Sequence, residues 1–93
     1  MTEDALNIRK ELEKSLESGK IEFGKNRVLR ALKQGTASKV FYAKNTPDKL
    51  KKDLKYYSNL SEVQLVEFPG DSKELGVALG RTHNVLLAVI VKG

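Results

Sequence analysis

The chain has 93 residues, a formal net charge of +5 and no cysteine, which excludes disulfides, thiolate metal sites and cysteine nucleophiles and suits one domain spanning 1–93. No run approaches the ~20 apolar residues of a membrane span, and the opening MTEDAL lacks the basic and then apolar design of a signal peptide, so the expectation is a soluble cytoplasmic protein. Residues 1–22 hold four basic and six acidic side chains, 23–55 hold ten and two, and 56–93 hold three and four, giving balances of −2, +8 and −1. The excess charge is concentrated in the middle third, as a docking face for a polyanion requires.

In chain order, Ala5, Ile8, Leu12 and Leu16 recur at spacings of three and four and predict an amphipathic helix stopped by Gly19. KIEFG, 20–24, then alternates as a short strand with Ile21 and Phe23 on one side. After a glycine turn, Val28, Leu29 and Leu32 share one side of a second helix, while Arg27, Arg30 and Lys33 cluster on the other until Gly35 ends it. KVFYA, 39–43, reads as a buried strand, and Thr46 with Pro47 as the cap and first position of a third helix whose core stripe is Leu50, Leu54 and Tyr57. VQLVEF, 63–68, is a third strand. Asp71 and Glu74 have capping-box spacing for a short helix containing Leu75, Ala78 and Leu79, closed by Gly80. VLLAVIV, 85–91, is apolar enough to predict a central strand. Phe23, Phe41 and Phe68 are expected in the core, and Tyr56 and Tyr57 are expected to pack their helix on the sheet.

This alternation predicts an α/β fold, one sheet between two helical layers. The turns after the first two strands, 24–26 and 44–46, then fall at the carboxyl edge of the sheet, where such folds bind ligands. The loop GRTHNV, 80–85, joins them if the last strand runs antiparallel to those two, a direction the sequence leaves open.

Catalysis finds little support. His83 is the sole histidine, and GxSxG, HExxH and the phosphate-binding GxxxxGK[ST] are all absent. No metal site or cofactor is expected. The start of a helix flanked by Lys25, Arg27 and Arg30 does suit phosphate, and Asn26 offers a donor and an acceptor that a base edge can use. Duller readings stand beside this one: Gly24 as a turn glycine, Asn26 as a helix cap, His83 as a surface residue, and Lys49, Lys51, Lys52 and Lys55 as a solvated face. Arg27, Arg30 and Lys33 lack the acidic partners at i±4 that a merely solvated helix commonly carries.

Gly24-Lys25-Asn26-Arg27 with Arg30, AKNTP at 43–47, KYYSNL at 55–60 and ELGVALGR at 74–81 together resemble the L-thirty-e family of archaeal and eukaryotic large-subunit ribosomal proteins, within the L-seven-Ae-like superfamily that binds kink-turn RNA. The resemblance covers residues from about 6 to 91. It implies a three-layer α/β/α sandwich with a four-stranded mixed sheet and RNA held by loops at one end. It further implies that Gly24 lets the RNA approach closely, that Lys25, Asn26 and Arg27 reach the bent strand, and that Arg30 contacts phosphate. Lys44 and Asn45 would flank the site, and the segment 81–85, with Arg81, Thr82, His83 and Val85 as its named contacts, would form a far wall meeting extruded nucleotides. The sibling family has Glu after the Asn where this chain has Arg27, which favours the L-thirty-e branch. The implied partners are rRNA in the ribosomal assembly and the protein's own message, bound by a monomer when free, with no membrane. Two rival roles remain at this point: a kink-turn protein of guide RNA particles or RNase P, and a protein interaction adaptor with a basic face.

Overall fold

The computed structural model describes residues 2–92, with side chains from Asn7 onward, so the expected place of Ala5 in the first stripe lies outside them. The elements are α1 (Thr2–Ser18), β1 (Ile21–Phe23), α2 (Lys25–Gln34), β2 (Ala37–Tyr42), α3 (Asp48–Ser61), β3 (Gln64–Glu67), α4 (Ser72–Ala78) and β4 (Leu87–Val91). Every helix alternates with a strand, as the change of apolar period predicts. The sheet order is β1-β4-β2-β3, and β4 sits between β1 and β2, antiparallel to both, while β2 and β3 are parallel. The sheet is therefore mixed.

Strand alternation sorts the core into two layers. Val40, Leu87 and Val89 pack with Val28, Ala31 and Leu32 of α2 and Leu50 and Leu54 of α3. Phe41, Ala88 and Ile90 point the other way, toward Leu12 of α1, Leu75 of α4 and Leu79 at the end of α4. One residue along a strand changes the face, so the apolar stretches Val40–Phe41 and Leu87–Val89 serve both cores. Ile8 and Leu16 complete the α1 stripe as partly buried neighbours.

Some local expectations are corrected. Thr46 does not cap α3: it is buried, its hydroxyl donates to the Ala43 carbonyl at 2.7 Å, and Pro47 takes the cap position with Asp48 first in the helix. Asn26 does not cap α2, because Gly24 does. Tyr57 packs against the core, but Tyr56 is 62% exposed and does not seat its helix on the sheet. Phe41 and Phe68 are fully buried, whereas Phe23 is only partly covered. The α4 cap is as expected, with Asp71 Oδ1 accepting the Glu74 N–H at 2.9 Å.

Candidate nucleic-acid interface

The strand directions decide where the candidate residues meet. Because β4 opposes β1 and β2, its amino end lies at the same rim as their carboxyl ends, and the 80–85 loop enters there. Backbone hydrogen bonds stitch this rim together. The Gly24 N–H donates to the Leu87 carbonyl at 3.1 Å, the Ala43 N–H to Leu86 at 2.8 Å, and the Lys44 N–H to Gly70 at 2.9 Å.

Gly24 ends β1 and starts α2 with φ 109° and ψ 143°, a conformation restricted to glycine. A Cβ there would have open space, so the demand comes from the backbone alone. No side chain caps α2 and its first turn holds no acid. The first intrahelical bond runs from the Val28 N–H to the Gly24 carbonyl at 3.0 Å, which leaves the Lys25, Asn26 and Arg27 N–H groups outside the helical ladder at the positive end of its dipole.

A concavity of about 780 Å³ opens at the rim. Gly24, Lys25 and Arg27 line it from the first turn, Asn45 and Pro47 from the second, and Arg81, His83, Asn84 and Val85 from the third. Phe23, Ser72 and Leu86 complete the lining, which holds three basic side chains and no carboxylate. The Arg81 guanidinium lies over the Phe23 ring, 4.2 Å from its centroid, and so carries its charge on an aromatic floor. Among the described residues, ion pairs join Arg9 to Glu74 and Lys39 to Glu11, and none engages Lys25, Arg27, Arg30 or Arg81.

The other candidates lie around this concavity. Asn26 and Arg30 line a separate groove on the outer side of α2 with Leu29, Lys33 and Gln34. Arg27 and Arg30 also share a smaller hollow with Glu22, Gln34 and Thr36. Positive charge thus continues from the rim over α2. Lys44 and Thr82 are exposed at the rim but outside the lining. Val85 is only 4% exposed and forms part of the floor, with its N–H donating to the Ser72 carbonyl at 3.0 Å.

Asn45 has a more specific task than flanking. Its Nδ2 donates to Ser72 Oγ at 3.0 Å and its Oδ1 accepts the Ser72 N–H at 2.9 Å, so both ends of the amide are used to tie the β2–α3 loop to the start of α4. Asn84 lies within the expected 81–85 wall, whereas Ser72, Phe23, Pro47 and Leu86 are lining residues that the sequence does not single out. Phe23 carries no such signal, since alternation marks it as core and only the end of β1 at the rim makes its ring part of the lining.

Among the described residues, no group of His, Asp or Glu is arranged to hold a metal ion, and no helix is long and apolar enough to cross a membrane. The site can attract an anion, stack a flat group on the guanidinium and offer backbone N–H donors at a helix start.

Comparison with known proteins places the fold and the family. The Giardia lamblia 15.5 kD RNA-binding protein superposes with a TM-score of 0.84 at 22% identity, covering 95% of this chain and 73% of that one, which shows a shared fold. The large ribosomal subunit protein eL30 of Pyrobaculum islandicum is 37% identical over 89 residues, 95% of this chain and 88% of that protein. Its counterpart from Aeropyrum pernix is 33% identical over 89 residues, 95% and 89% respectively. Residues 6–93 match the ribosomal protein L7Ae/L30e/S12e/Gadd45 family, and this chain belongs to it.

Proposed function

We propose that this protein is a structural component of the large ribosomal subunit and binds rRNA at a kink-turn or kinked internal loop through the rim described above. The observation that carries the reading is the convergence of three turns on one concavity whose charged lining is entirely cationic, beside an uncapped helix start. Membership of the family and the likeness to eL30 proteins support the ribosomal part. A straight duplex presents an even cylinder of phosphates, whereas a bent strand can enter a concavity and place nucleotides against its walls, in keeping with RNA recognition by shape and unstacked bases.

In this reading Gly24 allows the ribose-phosphate chain to approach the start of α2. Lys25 and Arg27 hold phosphates of the bent strand from within the concavity, while Asn26 meets a base edge and Arg30 a phosphate along the outer side of α2. Arg81, stacked on Phe23, offers its other face to an extruded base, with Thr82, His83 and Val85 beside it. Lys44 adds charge at the margin and Asn45 holds the second turn in place. The role is noncovalent and the free protein a monomer, carried into the ribosome in the cytoplasm. A kinked segment of its own message would meet the same groups.

Titration with a kink-turn RNA and with a fully paired duplex of equal length tests the reading. Tighter binding of the kinked RNA is expected, and equal affinity would count against shape recognition. Guide RNA particles or RNase P copurifying in place of ribosomes would contradict the ribosomal assignment.

A further inference from the structure

We infer that Gly76, in the middle of α4, is a positioning residue for RNA selection: the bare helix surface it provides lets the backbone at His83 lie against α4 and fixes the 81–85 segment of the rim. The consequence for RNA rests on the reading proposed above, whereas the geometry does not.

A glycine in the middle of a seven-residue helix is unfavourable for the helix itself, since it loses the most backbone freedom on folding. Packing accounts for it. Gly76 is buried, and a Cβ built at this position collides with the His83 carbonyl oxygen, a backbone atom that cannot swing aside as a side-chain end can. Gly70 provides the contrast, since the atoms nearest to a Cβ there belong to the Glu74 side chain and not to a backbone. Hydrogen bonds hold the same segment at both ends. The Gly76 carbonyl accepts the Arg81 N–H at 2.8 Å, and one turn earlier the Ser72 carbonyl accepts the Val85 N–H at 3.0 Å. The amide of Asn45 grips Ser72, so one short helix sets two of the three turns that form the concavity.

A methyl group at position 76 must push the His83 backbone away from α4, shifting Arg81 relative to Phe23 and changing the width of the concavity. Lys25 and Arg27 belong to the start of α2, which α4 does not hold, and keep their charge. The loss should therefore fall on the choice between kinked and straight RNA, while charge-driven binding survives.

The test compares Gly76→Ala with Val77→Ala, a control at the neighbouring position, which is 69% exposed. Without RNA, the Arg81 and Val85 amides of the Gly76→Ala chain should exchange with solvent about 10-fold faster or more than in the parent chain. Its preference for a kink-turn RNA over a duplex should fall by about 10-fold or more, with duplex affinity changed by less than about 2-fold. Val77→Ala should change neither. A folded Gly76→Ala protein with unaltered loop exchange and unaltered preference overturns the inference. If that variant does not fold, exchange in the parent chain decides: Arg81 and Val85 amides as protected as that of Leu79 support it, and exchange at the free-chain rate overturns it. A parent chain with no preference for kinked RNA would remove the RNA reading alone, and the loop exchange would still judge Gly76.

Discussion

At Gly24 the chain leaves β1, donates to Leu87 and begins α2 within one residue, at a φ of 109° that side chains oppose. Gly24→Ala should lower stability by about 1–3 kcal/mol through backbone strain, measured by denaturant titration, although no atom obstructs the added methyl. Asn45→Ala removes two hydrogen bonds and leaves Ser72 Oγ without its donor, for an expected loss of about 1–3 kcal/mol. The two positions show what residue types can and cannot reveal. Asn26 is the better cap by preference, yet the cap falls on Gly24 because the strand must end there with a backbone that only glycine adopts. Asn45 is legible as a polar loop residue, but its partner Ser72 is 27 positions away and only the fold brings them together.

Among the elements, α2 supplies Lys25, Asn26, Arg27 and Arg30 to the proposed interface. Its buried side, Val28, Ala31 and Leu32, is fixed by the core, so Arg27, Arg30 and Lys33 face outward as the sequence period predicts. If Arg30 holds a phosphate, Arg30→Glu should reduce the slope of log affinity against log salt by roughly 0.7–0.9, with little change in the denaturation midpoint. The α3 boundary was less legible, because Pro47 suits either the cap or the first helical position, and the choice was made by the Thr46 hydroxyl turning back to Ala43. In β2, burial and then the nearby Glu67 carboxylate raise the Tyr42 phenol above its ordinary value of 10.0. Lys51 Nζ also lies over the ring, 5.9 Å from its centroid. The phenol ionises more readily in the unfolded chain, so its contribution to stability is complete below pH 10 and is lost as pH rises through the raised value. Tyr42→Phe should accordingly flatten the decline of the thermal midpoint above pH 10, and an unchanged alkaline limb would contradict that assignment.

For the whole molecule, the order of elements and the two-layer core follow from apolar spacing, but the direction of β4 does not. A strand buried on both faces has no side-chain pattern to distinguish its two ends. Pairing with β1 and β2 fixes it, and that pairing carries Arg81, His83 and Val85 to the rim occupied by Gly24 and Asn45. Segments separated by some 60 positions thus become neighbours, and a charge surplus visible only as a regional balance acquires a shape. The most direct measurement is an amide and side-chain chemical-shift map of the protein titrated with a kink-turn RNA. Perturbations should centre on Lys25, Arg27, Arg81 and His83 and extend to Arg30, leaving the outer side of α1 unchanged. A map centred on α1, or on the β3 edge away from this rim, would contradict the account.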